Sequence, residues 1–436
     1  MPTSQKSQIK VGLISLDNVG SKMAGPGMRY FELSKSLSKY FDVTLFVPDA
    51  TDLKVDNFTI SPFNSSKSSS DLAKKTVGFD AVIAQSLRPP LLNKLRKSKT
   101  KFIADLYDPL AIEVLEYTKD DNEKLRQHTF DFNYYSLALQ LASADHILCA
   151  SDRQRDYYAG ILSGKKILGP KFYDISPNLK KFITIAPFGL CKEEPVAKNP
   201  EAFYQKFPEI KKGDKIVYWG GGIWNWFDPL SVIKAIDILS KKRKDIKLFF
   251  LGMKHPNPKI KAMKMAKTAL DYATERGLVD KFVFFNYDWT PFAERTDYLT
   301  QSTIGISTHF DNTETRFSFR TRVLDYLWAK LPMILTTGDS FADLCERKNL
   351  GVVVDFEKPQ EIAAAMEKIV DDKKFSDEIR KNLTETKKDF YWETVAKNIA
   401  EVINENRFMP RTVGLANFLN LTFDFYKAGL KKKLAK

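Results

Sequence analysis

The chain reads as an α/β protein built from two doubly wound parallel-sheet domains, one after the other. Three observations carry that expectation. Short apolar runs recur along the chain, nearly continuous rather than alternating, with helical patterns between most of them, as in parallel strands buried on both faces. The series breaks once, at the charged, proline-containing stretch CKEEPVAKNPEAFYQKFPEIKKGD, and then starts again. A length of 436 residues with 43% hydrophobic content suffices for two ordinary cores.

Taken in order, the first domain (residues 1–190) opens with IKVGLISL, a glycine-bearing loop, and a helix from about Arg29 to Leu37. Its further strand candidates are FDVTLFV, the run Phe58 to Ile60, FDAVIAQ, KFIADLY, HILCAS and KFITIAPF, with helical patterns around Leu91 to Leu95 and from Tyr134 to Ala142. A linker is expected over 191–213. The second domain (214–375) offers KIVYWGG, IKLFFLGM, KFVFFNY, STIGIST, LPMILTT and LGVVVDF. Its helices are expected at Leu230–Ser240, Ile260–Arg276, Phe319–Ala329, Phe341–Glu346 and Pro359–Val370. Residues 376–436 read as terminal helices with a basic tail. Two such domains in series place a crevice between the carboxyl ends of both sheets.

Composition narrows the function classes. Three widely spaced cysteines, Cys149, Cys191 and Cys345, suit neither a disulfide framework nor a zinc site. The opening MPTSQKSQIK has no apolar core behind it, and no run approaches the ~18 apolar residues of a membrane span. A cytoplasmic protein is the expectation. The net charge is +14; five lysines fall in the last ten residues, KAGLKKKLAK, behind the aromatic run RTVGLANFLNLTFDFY, and the remaining charge is scattered. That pattern suits peripheral contact with an anionic membrane. A packed terminal helix with a solvated lysine tail is the other reading. Nothing resembles a helix-turn-helix, a zinc finger or an RNA-binding aromatic motif, so nucleic acid is not an expected partner.

The richest segment runs from Gly305 to Pro332, GISTHFDNTETRFSFRTRVLDYLWAKLP, from a strand through a polar loop into a helix. Glu314, Arg316, Arg320 and Arg322 lie in or beside the loop, with Asp325 on the helix. A helix start favours anions, and guanidinium groups add bidentate contacts to phosphate. An acid one or two turns in accepts hydrogen bonds from ribose or sugar hydroxyls. The segment is therefore expected to bind a nucleotide-sugar.

The order of motifs resembles glycosyltransferase family 4, whose members are retaining enzymes of the GT-B fold. GLISLDNVGSKMAGPGMRYFELSKSL is similar to the family's first strand, glycine loop and helix. KFITIAPFGL is similar to its strand and turn before the interdomain linker. LDYLWAKLPMILTTGD is similar to its Glu-Ala-Met-Ala-x-Gly-x-Pro-Val-Val stretch, with Asp325 in the place of the second acid of a Glu-x7-Glu motif. Two departures stand out. Phe317, not Glu, precedes Asp325 by eight positions, which leaves Glu314 to take the first acid's role. The usual Arg and Lys after the first strand of the second domain are absent from YWGGGIWNWFDPL, so Arg320 and Arg322 are expected to supply that charge.

The resemblance implies transfer of a hexose-type sugar from a nucleoside diphosphate to a saccharide, lipid-linked or other hydroxyl acceptor, with retention of configuration. No Asp-x-Asp element occurs and no histidine has metal-ligand spacing, so no metal or other cofactor is expected. Donor-binding candidates are Gly25 and Gly27, the run Gly220, Gly221 and Gly222, Trp224 and Trp226, Arg320, Arg322 and Asp325. The glycines would bring backbone N–H groups close to phosphate, and the two tryptophans either stack on base or sugar or pack between the domains. Catalytic candidates are Asp105 in DLYDP at a strand end, Glu314, and His309 just after STIGIST. Asp108, before Pro109, reads as a helix cap. Arg29 is expected either to touch donor phosphate or acceptor, or to form an exposed ion pair. A catalytically silent GT-B protein serving as a partner in a glycan-assembly complex is the alternative from another class.

Overall fold

Each apolar run forms a strand, and the strands pair in parallel in two sheets. The computed structural model describes residues 9–21, 23–253, 263–288, 290–291 and 294–435. Its contacts divide the chain into one unit of Met1–Gly189 with Trp392–Lys436 and a second of Leu190–Tyr391.

In the first unit the strands are β1 (Lys10–Ile14), β2 (Asp42–Pro48), β3 (Thr59–Phe63), β4 (Ala81–Ala84), β5 (Lys101–Asp105), β6 (His146–Cys149) and β7 (Ile183–Ile185). Their order is β3-β2-β1-β4-β5-β6-β7. The chain winds outward from β1 to β3, then returns to the other side of β1 with β4, pairing Leu13 with Ile83. The direction of winding therefore switches between β1 and β4, the place where such sheets leave a crevice at their carboxyl edge. β4 (AVIA) and β6 (HILC) are buried at every position, which explains their unbroken apolar character.

The first helix runs Gly25–Leu37, starting four residues before the expected Arg29. Ala24 takes the N-cap place and Pro26 lies in the first turn, where its fixed φ and missing N–H cost nothing. Gly25 and Gly27 are thus helical rather than loop residues, which corrects the expectation. A Cβ on Gly27 would collide with the Asn18 carbonyl, so this glycine serves close packing of loop on helix. Asp108 is not a helix cap either. Pro109 itself takes the N-cap place of Leu110–Tyr117 with backbone outside the helical region, which moves the start one residue on.

The second unit contains β8 (Lys215–Gly222), β9 (Ile246–Gly252), β10 (Val283–Phe285), β11 (Ile304–Ser307), β12 (Met333–Thr336) and β13 (Gly351–Val354). The order β10-β9-β8-β11-β12-β13 puts its switch between β8 and β11. The expected linker is built into this unit rather than hanging between elements. Phe203 stacks edge-on against Phe249 and Tyr298, and the Lys198 and Asn199 amides donate to Asp297 at 2.6 and 3.0 Å.

The terminal segment divides. Lys373–Thr386 packs on Pro359–Asp371 in the second unit, while everything from Trp392 on joins the first. Trp392 covers Gly189, where any side chain would strike its indole, and meets Phe188 edge-on at 5.0 Å. The C-terminal helix, Leu415–Leu434, lies along Glu123–Ser143 and inserts Phe418 and Phe425 into the first core. Burying a phenylalanine this way contributes ~1.5–3 kcal/mol. The tail therefore packs on one face. Its other face keeps Leu415, Leu419, Phe423, Tyr426, Leu430 and Leu434 exposed. Among the described residues no helix is long and apolar enough to cross a membrane.

Candidate functional site at the carboxyl edge of the second sheet

The residues expected to carry chemistry fall into two places. Asp105 ends β5 in the first unit and is fully buried against Arg29. Arg29 Nε and Nη2 donate to its two oxygens at 2.8 and 2.6 Å, and Nη2 and Nη1 also donate to the carbonyls of Ala186 and Pro187. The guanidinium lies over the Tyr107 ring at 4.5 Å. Burial alone would lower the Arg29 pKa, but Asp105 outweighs it and holds it above the ordinary value. With both carboxylate oxygens taken and no exposure, Asp105 is not placed to orient a sugar or accept a proton. The expectation of catalysis is corrected to a structural ion pair, and Arg29 is neither exposed nor placed to meet a ligand.

In the second unit the Gly305–Pro332 segment contains an additional helix. Asn312 caps Thr313–Phe317 through the Thr315 amide, and Thr321–Trp328 follows after a turn. The turn folds Arg320 back on Glu314, with Nη1 and Nη2 donating to the two carboxylate oxygens at 2.8 and 2.7 Å. Ser318 Oγ also donates to the Glu314 carboxylate. Arg320 Nε stands 3.9 Å from Asp339, and the guanidinium lies over Phe227. Glu314 and Arg320 are 4% and 6% exposed. They neutralise each other, so neither meets its expected role. Arg320 does not present a free charge to a diphosphate, and Glu314 does not present a free carboxylate to a sugar.

Arg322 is placed differently. Its Nη2 donates to the Gly222 carbonyl at 2.7 Å, and its plane lies over the Phe227 ring at 3.9 Å, while Nη1 is buried without a hydrogen-bond partner. Burial lowers its pKa to about 10, which still leaves it charged at neutral pH. Asp325, one turn further on, pairs with Arg295 at 3.1 Å. Burial raises the Asp325 carboxyl against the pull of Arg295 and Arg322.

His309 follows β11 and is 1% exposed. Its Nε2 lies 3.1 Å from Asp339, its backbone amide donates to Thr336 Oγ1, and its Nδ1 is buried without a partner. Asp339 also caps Ser340–Lys348 through two backbone amides. Burial pushes the Asp339 carboxyl up, but His309 and Arg320 outweigh it and hold it below the usual range. His255, another histidine at a strand's end in the sequence, lies outside the described residues.

The three glycines end β8 instead of forming a loop. Gly220 N–H donates to Tyr326 Oη at 2.9 Å, so that amide is not available to a phosphate. Gly221 takes the left-handed conformation, φ +74°, and is exposed; Gly222 pairs back with Gly252 across a bulge. A Cβ on Gly220 would press on Tyr218 and Tyr326. Trp224 and Trp226 stack on each other at 5.3 Å, and Trp226 is buried while Trp224 is half-buried. Trp226 packs on Trp224 and Phe227 inside the second unit.

What results is a cluster at the switch between β8 and β11. Phe227 bridges His309, and Asp228 and Thr308 exchange hydrogen bonds through the Asp228 amide and the Thr308 hydroxyl. Among the described residues, Asp228 Oδ2, His309 Nδ1 and Arg322 Nη1 are all buried there without hydrogen-bond partners. Buried polar atoms are rarely left so, and several at one carboxyl edge point to a polar ligand. Asp339, Arg295 and Tyr326 were missed as participants. Only Asp339 carried a signal, as a capping residue before a helix.

Comparison with known proteins agrees with this architecture. Residues 201–388 match the family model for glycosyl transferases group 1. No curated protein matches the chain. Among solved structures, sucrose-phosphate synthase from Thermosynechococcus elongatus is similar with a TM-score of 0.63 at 13% identity, covering 92% of this chain and 99% of that one. HepE from Anabaena, in complex with UDP and glucose, gives 0.63 and 13% over 91% of this chain and 100% of that one. A putative UDP-N-acetylglucosamine 2-epimerase from Listeria monocytogenes gives 0.55 and 10%, covering 92% and 97%. At such identities the likeness shows the fold. The stretch 201–388, which holds the whole second sheet, matches the model for glycosyl transferases group 1, in a chain of the GT-B fold.

Proposed function

We propose that the protein transfers a sugar from a nucleoside diphosphate to a hydroxyl acceptor, of family 4 type, with retention of configuration. The observation that carries this is the set of unpartnered buried atoms at the β8/β11 switch, Asp228 Oδ2, His309 Nδ1 and Arg322 Nη1. In this arrangement Arg322 meets the diphosphate, Gly221 gives close backbone approach, and Asp325 meets the ribose. His309, oriented by Asp339, faces the transferred sugar. Positive side chains stabilise the leaving diphosphate without a metal, and losing one such preorganised group raises the barrier by ~3 kcal/mol. The group 1 match over 201–388 and the UDP and glucose bound by the similar HepE support the donor class.

Calorimetry with UDP, GDP and ADP, followed by donor hydrolysis without acceptor, tests the proposal. Binding of one nucleoside diphosphate with slow release of its sugar is the expected result. The neutralised Arg320 favours a second reading, a catalytically silent partner protein. No binding by any nucleotide and no hydrolysis would decide for it.

We further infer that the protein works at the inner membrane face, touching lipid through the outer side of the C-terminal helix. Its exposed stripe recurs at helical spacing, with Lys427, Lys431, Lys432 and Lys433 beside it. Each basic residue near an anionic surface contributes ~1 kcal/mol. Liposome binding is expected to rise with anionic lipid, fall with salt, and weaken when Lys431, Lys432 and Lys433 are changed to Gln. Salt-independent behaviour would leave the stripe without this role.

A further inference from the structure

The two strands at the switch point of the second unit separate at their carboxyl ends. β8 and β11 pair Val217 with Ile304 and Tyr218 with Gly305, and among the described residues the ladder goes no further. Just beyond, β8 also slips against β9 through a bulge between Trp219 and Gly222. Strand ends that part here make room for a ligand, but they leave backbone groups that the ladder would have paired. One side chain spans the gap. Tyr326 Oη accepts from the Gly220 N–H at 2.9 Å and donates to the Ile306 carbonyl at 2.8 Å. Its hydroxyl is a rung between two strands that have stopped pairing.

The surroundings are shaped to this ring. Tyr326 is fully buried and meets Tyr218 edge-on at 6.1 Å. Any side chain on Gly305 would strike the Tyr326 ring, so the glycine in β11 is what admits it. Phenylalanine would fill the same volume; only the two backbone groups account for the hydroxyl. What the rung holds follows along the chain. After Gly220 come Gly221, left-handed and exposed, and Gly222, whose carbonyl accepts from Arg322 Nη2 at 2.7 Å. Arg322 lies one turn before Tyr326 on the same face of Thr321–Trp328. A loop therefore closes from the helix through Tyr326, Gly220 and the turn to Gly222, and back through Arg322. Three successive glycines are the freest backbone a chain can have. Without the rung, the turn would carry the Gly222 carbonyl, and the guanidinium bonded to it, through many positions.

We propose that Tyr326 is a positioning residue for diphosphate binding: its hydroxyl fixes the glycine turn and, through it, aims Arg322 at the ligand. The proposal rests on the reading that Arg322 meets a nucleoside diphosphate. Calorimetry on the full chain tests it by comparing UDP with UMP, GDP with GMP and ADP with AMP. The ratio of diphosphate to monophosphate affinity reads the contact with the outer phosphate. A merely structural role for Tyr326 would lower the melting temperature and leave that ratio in place.

Tyr326→Phe, which deletes one oxygen, is expected to lower the ratio by about tenfold, the loss of one charge-assisted contact. Arg322→Ala is expected to lower it by as much. Adding Tyr326→Phe to Arg322→Ala should lower it by less than about twofold more, because the hydroxyl acts through the arginine. Should Tyr326→Phe fail to fold, Gly221→Ala strains the turn alone, at an exposed position where the added Cβ meets no atom within 4 Å. It is expected to lower the ratio likewise. A ratio lost in Arg322→Ala but kept in Tyr326→Phe, or in Gly221→Ala where that variant stands in, would overturn the proposal and leave the diphosphate reading intact. Fully additive losses in the double variant would overturn the route through Arg322. A ratio unchanged in Arg322→Ala, or a wild type that binds none of these nucleotides, would bring down the underlying reading and the proposal with it.

Discussion

Each unit buries an arginine against an acid, and the two pairs differ in what surrounds them. Every nitrogen of the Arg29 guanidinium and both oxygens of Asp105 have partners, down to the carbonyls of Ala186 and Pro187. Around Arg320 and Glu314 the facing nitrogens and oxygens are closed, but Arg320 Nε and its neighbours His309 Nδ1, Asp228 Oδ2 and Arg322 Nη1 have no hydrogen-bond partner among the described residues. The same contrast separates two buried histidines. His146 has Arg407 O at 2.6 Å and Thr184 Oγ1 at 2.9 Å on its two nitrogens, whereas the His309 ring has only Asp339 among the described residues.

The sharpest way to break this comparison is Asp105→Ala. Leaving Arg29 buried without its partner is expected to cost about 3–5 kcal/mol of stability, read as a fall in the urea midpoint with hydrogen exchange accelerated in β1 and β5. Asp105→Asn, which keeps the shape, serves if the alanine variant does not fold. Nucleoside diphosphate affinity, measured on the folded variant, should not move. A stable variant with weakened nucleotide binding would reverse the roles given to the two units.

Next in size is acid. Burial lowers the His146 pKa from 6.5 to about 4. Between those values the unfolded chain takes up a proton that the native imidazole refuses. Stability is therefore full above pH 6.5 and falls by about 3 kcal/mol as pH drops toward 4. Denaturation of the wild type and His146→Gln across that range checks this; an identical slope in the variant would remove His146 from the account.

The smallest effects separate the two arginines of the second unit. Arg320→Ala should lower stability by about 3 kcal/mol, because Glu314 is left buried alone. Arg322→Ala should leave the melting temperature nearly in place and weaken nucleoside diphosphate binding at least tenfold, about 1.4 kcal/mol. Equal losses of affinity in both would show that Arg320 reaches the ligand after all.

Strands and their grouping into two sheets were legible because a doubly buried parallel strand leaves a local mark, a continuous apolar run such as AVIA or HILC. Helix starts were less so. Ala24 gives no capping signal, and Pro109 displaced the start that Asp108 suggested. The site was legible as composition but not as pairing. Glu314 and Arg320 both stood out as charges, yet only the turn between Thr313–Phe317 and Thr321–Trp328 turns one against the other. Asp105 looked like an active-site acid because its partner, Arg29, lies 76 positions away, a separation no local pattern encodes. Asp325 and Arg295 were hidden from each other in the same way.

The division of the chain carries a consequence for how the molecule is made. The second unit is a continuous stretch, Leu190–Tyr391, whereas the first is completed only by Trp392–Lys436. During synthesis from the N-terminus, the later-encoded sheet has all its parts while the earlier one still lacks Trp392, Phe418 and Phe425. Until those arrive, Gly189 and the aromatic face around Phe132 stay uncovered, a window for chaperones or for aggregation. Chains truncated after residue 391 and released from the ribosome should thus hold a protease-resistant second unit beside a cleavable first one, inverting the usual order of maturation.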